Sequence, residues 1–411
     1  MKIVIIGNGP AAIAAAETIR GQDRSCEIVM LSRESVPFYS PCPLAEYVEG
    51  SVPKDHLFLR DPAFYSRSGI DIRYGRPVIR IEPQTRQVWL AGNEAVAYDQ
   101  LLIASGSKAF VPPIPGLATA KGVFELKTLD DAEGILERIK TARRAVVIGS
   151  GFIGLEAVQA LIRQGLDVTL LEAQAQVLPA MLDREMAAIV QQRLTAHGVQ
   201  VHTGCGAERI LENENGVRAV MAGGCEIPCE LVICAAGVRA DLSILEGSGI
   251  ASNRGILVND HMQTNVDGVF AAGDIIERPD VPEKYRVLPI WPNAVSTGRI
   301  AAWNMLGIAT RHPGLEAVNV VRVFDTPIAS FGTQTAEDCL RWQDGNGAVR
   351  KVLLQEGRVI GGQLIGEING TGVLHEMMKK GIAAERFGEA LAHPGFSYAH
   401  FMQPSRAVKW A

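Results

Sequence analysis

The chain has 411 residues, 47% of them apolar, which is enough to bury two or three cores and excludes a mainly disordered protein. With 40 basic against 45 acidic side chains the net charge is −5, which argues against nucleic acid as a partner. The 42 glycines lack the every-third-residue spacing of collagen, so they must serve local backbone geometry.

In chain order, the first element is a β-branched strand-like run, then a glycine turn, an alanine-rich helical stretch and a second strand over residues 26–31. That order is a βαβ unit. Residues 112–116, PPIPG, are stiff and poor in ladder donors, and are read as the crossing into a second domain. A helical run over 128–140 leads to a second βαβ unit at 143–172, about 140 residues after the first. Two units so far apart predict two nucleotide-binding domains and not one long sheet. Residues 199–235 read as short strands and turns, and a second crossing near Gly237 returns the chain to the first domain. The remainder holds a strand at 318–324, a hairpin at 350–366 turning at Glu356-Gly357-Arg358, and a helix at 371–384. The expected fold class is α/β, with two Rossmann-like dinucleotide-binding domains and a C-terminal α+β interface domain. The expected boundaries are 1–111, 112–237, 238–312 and 313–411.

Apolar runs such as 3–6 and 231–238 fall short of the ~20 residues that cross a bilayer, so no membrane span is expected. Met1 leads almost directly into a strand-like run, without the basic-then-apolar order of a secretory signal. Seven cysteines are an odd number in a large chain and read as reduced thiols, so the cytoplasm is the expected compartment.

In Gly7-Asn8-Gly9-Pro10-Ala11-Ala12 the first glycine allows a tight turn and the second lets a diphosphate approach the backbone. Ala12 takes the small third position where helix meets strand, and Pro10 fits the first helical turn. Helix N–H groups and the helix dipole then face the diphosphate. Ser32 stands where an acidic residue is expected at the end of the second strand, with Glu34 two positions on. Either reaches an adenosine ribose hydroxyl, Glu34 being the better anionic acceptor. The second unit carries Gly149-Ser150-Gly151-Phe152-Ile153-Gly154, with Glu172 about 23 residues after its first glycine. A carboxylate there accepts from both ribose hydroxyls and repels a 2′-phosphate, so NAD(H) is preferred over NADP(H).

The arrangement resembles the pyridine nucleotide–disulfide oxidoreductase family, flavoproteins with an FAD and an NAD(P) domain. Leu101-Leu102-Ile103-Ala104-Ser105-Gly106 resembles the family's strand and turn beside the flavin. Residues 264–274, ending in Gly273-Asp274, resemble the second FAD fingerprint, whose aspartate bonds the ribityl chain. Pro292-Asn293-Ala294-Val295 begins a stretch similar to the helix whose N-terminus faces the flavin pyrimidine. With Gly237 at the second crossing, these complete the expected cofactor-binding set. Glu156 corresponds to a family glutamate near the nicotinamide–flavin contact, and is equally a first-turn acid favoured by the helix dipole. The resemblance implies FAD and NAD as cofactors and no metal.

The acceptor stays open at this level. Cys42 precedes Pro43, which could open a helix, and such a cap position lowers a thiol pKa. The disulfide reductases carry a second cysteine five positions on. Tyr47 stands there instead, so a dithiol relay is excluded. A single cysteine resembles the NADH oxidase, NADH peroxidase and coenzyme A-disulfide reductase branch, which cycles through a sulfenic acid or mixed disulfide. Ala392-His393-Pro394 resembles the acid–base segment of disulfide reductases, with Tyr398 replacing its glutamate. The loop around Cys42 equally resembles ferredoxin and rubredoxin reductases and flavin subunits that link iron–sulfur partners to NAD. Cys225, Cys229 and Cys234 lack cluster spacing, so a cluster would sit on another chain. The leading expectation is an FAD-dependent NAD(H):acceptor oxidoreductase serving an iron–sulfur partner or complex, such as a ferredoxin-linked 2-oxoacid or aldehyde oxidoreductase. The alternatives are a Cys42 thiol enzyme or a non-enzymatic flavoprotein interaction module. Residues 313–411 are expected to pair with a second copy or with the partner.

Overall fold

The computed structural model describes residues 1–279, 281 and 286–402. Contacts divide the chain into two compact units. One comprises Met1–Leu44, Val52–Phe110 and Gly237–Glu316, and the other Ala45–Ser51, Val111–Ala236 and the chain from Ala317 onward. This division differs from the expected segments in two respects. Residues 45–51 belong with the second unit, and the C-terminal sheet is counted with the second nucleotide-binding region.

In the first unit five parallel strands lie in the order Val269–Ala271, Gln100–Ile103, Lys2–Ile6, Glu27–Leu31, Ile70–Arg73. Lys2–Ile6 is central, with Val4 opposite both Val29 and Leu101, and Ile3, Val4 and Ile5 are fully buried, as a strand covered on both faces requires. Helices Pro10–Gln22 and Trp291–Met305 pack on each other. Small residues allow this: Ala11, Ala12, Ala15 and Ala16 are buried, and a Cβ on Gly298 would collide with the Ala11 carbonyl. The two chain crossings form one ribbon, Ser107–Ala109 antiparallel to Val238–Ala240. It is extended by a bond from the Phe110 N–H to the Gly237 carbonyl at 2.8 Å. The Arg239 guanidinium lies 3.6 Å over the Phe110 ring.

In the second unit the parallel order is Gln200–Thr203, Asp167–Glu172, Arg144–Ile148, Leu231–Cys234, Val123–Phe124. Helix Leu129–Ile139 starts in a capping box, with the Thr128 side chain and Asp131 satisfying each other's backbone N–H groups. The C-terminal sheet is antiparallel, in the order Val318–Val323, Thr326–Gly332, Arg358–Ile365, Val349–Gln355, Asp338–Gln343. Its hairpin turns where Glu356 and Gly357 have φ of 49° and 67°, as a two-residue turn of that hand requires. Helix Thr371–Lys380 ends four residues before the sequence expectation, because Gly381 adopts φ 60° and its N–H turns back to the Met378 carbonyl.

Helix Arg184–Ala196 joins this sheet to the parallel one. Its cap Asp183 receives Lys351 Nζ at 2.7 Å, the Asp183 N–H donates to Gln363 Oε1 at 2.8 Å, and His197 stacks on Phe324 at 3.8 Å.

Replacing Gly298 by Ala puts a methyl group against the Ala11 backbone and is expected to destabilise the protein by about 1–3 kcal/mol. At Gly21, on the partner helix, an added Cβ meets no heavy atom within 4 Å, so Gly21→Ala is expected to be neutral or to stabilise by up to ~1 kcal/mol. Urea unfolding of the two variants checks the contrast.

Candidate functional site

The glycine loop of the second unit follows strand Arg144–Ile148. Gly149 has φ 101°, and a Cβ there would collide with the Ala235 carbonyl. A Cβ on Gly154 would collide with the Gly149 carbonyl. Gly151 is different: it is extended, at φ −70°, and an added Cβ would meet no heavy atom within 4 Å. Two positions are thus closed by packing and one is open. The open one begins helix Phe152–Arg163, which has no side-chain cap. The N–H groups of the first turn are therefore directed at the opening, where an anion fits.

Glu172 ends the neighbouring strand and is only 7% exposed, so it is not a solvent-facing acid. Its Oε2 accepts from the Ser150 N–H at 2.9 Å and from Ser150 Oγ at 2.7 Å, and Oε1 accepts from the Gln174 N–H at 2.7 Å. These bonds hold the carboxylate against the loop and leave part of its roughly four-fold acceptor capacity for sugar hydroxyls. Ile153 is 41% exposed on the first helical turn. Glu156 lies half-buried on the same helix, one residue past its first turn, so it is not the first-turn acid the sequence suggests. Burial, and then the neighbouring Glu46, push its carboxyl up to about 7.

The first unit repeats the loop. Gly7 has φ 120° and faces the Ala104 carbonyl, where a Cβ would collide, whereas Gly9 would meet nothing within 4 Å. Ala12 is fully buried and Ala11 nearly so, and a Cβ on Gly273 would lie 3.0 Å from Ala11 Cβ. After strand Gln100–Ile103, Ser105 Oγ is buried without a hydrogen-bond partner among the described residues. Gly106 turns the chain at φ 75°, and Gly237 at φ 103°, both with open Cβ positions. Ser107 Oγ donates to Asp274 Oδ2 at 2.9 Å, and the Gly273 N–H donates to Thr297 Oγ1 at 3.0 Å. The Gly273-Asp274 turn is thereby fixed to helix Trp291–Met305, on which Ala294 is buried and Val295 partly so. Ser32 is buried, and its hydroxyl donates to the Glu34 carbonyl at 2.8 Å. Glu34 is exposed and receives Tyr39 OH at 2.7 Å, which leaves it as the acidic acceptor on this side.

Two open glycine positions at helix starts and an unsatisfied buried hydroxyl beside one of them fit two dinucleotides. Sequence reasoning missed the residues that brace these loops: Ser150, Ser107, Thr297, and Asn8, which accepts from Tyr65 OH at 2.7 Å. A polar residue inside or next to each glycine motif was the available signal.

Cys42 is exposed, in a turn that precedes the six-residue helix Leu44–Glu49, so it is not a buried thiol. Its N–H donates to Ser40 Oγ at 3.3 Å. His393 is exposed, its Nδ1 accepts from the Gly395 N–H at 3.1 Å, and Trp342 meets its ring edge-on at 5.9 Å. Tyr398, which occupies the position of an acidic partner, is 62% exposed. Cys229 and Cys234 are buried, and burial pushes the Cys229 thiol up to about 12, which makes it inert near neutrality. Among the described residues no group of three or more His, Cys, Asp or Glu side chains could hold a metal ion. None of the described helices is long and apolar enough to cross a membrane.

Residues 1–298 match the family model described as pyridine nucleotide-disulphide oxidoreductase. An NADH oxidase of Methanocaldococcus jannaschii is 31% identical across 97% of this chain and 95% of its own length. The epsilon subunit of the NADH-dependent phenylglyoxylate dehydrogenase of Aromatoleum evansii is 30% identical across 82% of this chain and 80% of its own. Among solved structures, a NAD-dependent persulfide reductase from A. fulgidus superimposes with a TM-score of 0.85 at 29% identity, covering 93% of this chain and 77% of that one. On this agreement of loops, fold and sequence, the chain belongs to the pyridine nucleotide-disulphide oxidoreductase family and is an FAD-dependent NAD(H) oxidoreductase.

Proposed function

We propose that this chain is the flavin-bearing NAD(H) component of an electron-transfer system, exchanging electrons with a separate iron–sulfur protein or catalytic subunit. The observation that carries this reading is the state of His393. A thiol relay needs a tuned base, and here the ring's Nδ1 is taken by its own turn while the position of an orienting carboxylate holds the exposed Tyr398. The similarity to a subunit of an NADH-dependent dehydrogenase complex supports it. The C-terminal sheet, residues 318–365, is where such a partner or a second copy would bind.

FAD, when bound, accepts hydride from NADH and releases electrons singly or in pairs. In the second unit the N–H groups behind Gly151 hold the NAD diphosphate, Glu172 accepts from the adenosine ribose, and Ile153 and Glu156 lie on the nicotinamide side. In the first unit Gly9, Ala11 and Ala12 admit the FAD diphosphate and Glu34 takes its ribose. Asp274 and Ser105 would hold the ribityl chain, and the helix start at Ala294 and Val295 would stabilise negative charge on the flavin pyrimidine.

One observation favours a second reading. Cys42 is exposed, so a reacting thiol is available for peroxide, oxygen or coenzyme A disulfide. Turnover with NADH separates the two. The electron-transfer reading expects activity with a one-electron dye that is unchanged in Cys42→Ser, and slow reduction of the small acceptors. Fast peroxide, oxygen or coenzyme A-disulfide reduction, lost in Cys42→Ser, would sink it.

The NAD site has its own check. Gly151→Ala adds a methyl group to open space at an unstrained φ, so stability should stay within ~0.5 kcal/mol of the parent. The same methyl group enters the diphosphate position, so NADH affinity measured by flavin-reduction titration should fall roughly tenfold or more, about 1.4 kcal/mol.

A further inference from the structure

On the reading that the helix start at Gly151 holds the NAD diphosphate, we propose that Leu178 is a positioning residue of that site, whose positive-φ backbone pins the glycine loop in its anion-binding orientation. Leu178 has φ 48°, a region that a bulky apolar residue enters only at an energetic cost. The following Pro179 adds to that cost, because a residue before proline favours an extended conformation. Leu178 is 1% exposed, in the segment that joins strand Asp167–Glu172 to helix Arg184–Ala196. Its N–H donates to the Ser150 carbonyl at 3.1 Å. Its carbonyl accepts from the Met181 N–H at 2.9 Å and the Leu182 N–H at 3.1 Å, and the Leu182 carbonyl accepts from Gln176 Nε2 at 2.7 Å. The donor aimed at Ser150 is therefore itself held by a turn and by the burial of Val177, Leu178 and Leu182.

The effect of this pin follows from the peptide plane. In a trans peptide the C=O and the N–H point in opposite directions. A Ser150 carbonyl turned towards Leu178 leaves the Gly151 N–H directed away from it. Without the pin that peptide could turn over, because the glycine after it tolerates either sense. Turned over, it would present a carbonyl oxygen to the diphosphate and repel it. Ser150 is fixed on its other side as well: its N–H and Oγ both donate to Glu172 Oε2, at 2.9 and 2.7 Å. All three polar groups of Ser150 are thus bonded within the protein, and the helix start that follows carries no side-chain cap.

The first unit holds its loop by other means. Asn8, at the corresponding place, is anchored through its side chain, which accepts from Tyr65 OH at 2.7 Å and donates to the Val36 carbonyl at 3.4 Å. A side-chain anchor needs no strained residue, whereas a backbone donor delivered to the Ser150 carbonyl here comes with a positive φ at Leu178. A loop oriented before the nucleotide arrives has less freedom to lose on binding, which raises affinity.

Side-chain packing and backbone conformation make opposite demands at this position, and two variants separate them. Leu178→Ile keeps the volume but resists positive φ, and Leu178→Gly loses the side chain but adopts that φ freely. In the flavin-loaded protein the NADH dissociation constant, from flavin-reduction titration, should rise roughly fivefold or more in Leu178→Ile. In Leu178→Gly it should stay within about twofold of the parent, although that variant melts at a lower temperature because it leaves a cavity. The rate of flavin reduction at saturating NADH should stay level in both. Unchanged NADH affinity in Leu178→Ile, or an equal loss in both variants, overturns the pin. A second measurement uses the parent alone: hydrogen exchange at the Leu178 amide should slow roughly threefold or more when NADH binds, since pin and ligand stabilise the same loop orientation. An exchange rate indifferent to NADH overturns the pin even where Leu178→Ile does not fold. Failure of the parent to bind NADH, or unchanged affinity in Gly151→Ala, overturns the NAD-site reading itself.

Discussion

A diphosphate must come within hydrogen-bonding distance of bare backbone, and the rest of this structure follows from meeting that requirement twice. In both units the first glycine of the loop stands where a Cβ would strike a carbonyl: Ala104 against Gly7, and Ala235 against Gly149. Each of those carbonyls lies one residue past the neighbouring parallel strand, Gln100–Ile103 in one case and Leu231–Cys234 in the other. Each loop is therefore pinned by the strand beside it, at a contact only glycine permits. The second glycine, Gly9 or Gly151, is left open on the ligand side. A rigid loop with one open position has little conformational freedom to lose on binding, which favours affinity.

The two sites diverge at the sugar. Glu172 is buried and ties its own loop together through Ser150, so the acid at the strand end also stiffens the glycine loop. In the first unit these tasks are divided. Ser32 turns inward, Glu34 is held outward by Tyr39, and the Gly273-Asp274 turn is braced by Thr297 and Ser107. That arrangement suits a cofactor held from several elements at once.

The glycine motifs, the βαβ units and the C-terminal hairpin are legible because their signals are local: residue size, φ preference and strand or helix period. Other features are not local. Residues 45–51 are held to the second unit by Arg163 and Gln164, more than 110 positions away, and nothing in SPCPLAEYVEG marks that contact. Sequence prefers Glu34 to Ser32 only as the better anionic acceptor, and the Ser32 hydroxyl turned inward adds a distinction that no local signal carries. The helix end at Gly381 was within reach of the sequence, since a glycine followed two lysines there, but the apolar residues beyond it suggested continuation.

Glu156 lies one residue past the first turn of helix Phe152–Arg163, where the helix dipole has faded and burial governs its carboxyl. A helix N-terminus favours a carboxylate by about 0.3–1 kcal/mol, which on its own would lower the pKa by less than one unit. The carboxyl instead sits near 7, against an ordinary value near 4.3. Burial first and Glu46 second supply that rise. The sign for stability follows. The folded state binds this proton more tightly than the unfolded chain, so the protonated form carries no penalty below about pH 4.3. Stability is then lost as pH rises towards 7. A neutralising cation at position 46 would remove the cost, and this chain has a second carboxylate there. An acid held against both its burial and its neighbour is poised to respond to whichever positive charge arrives beside it.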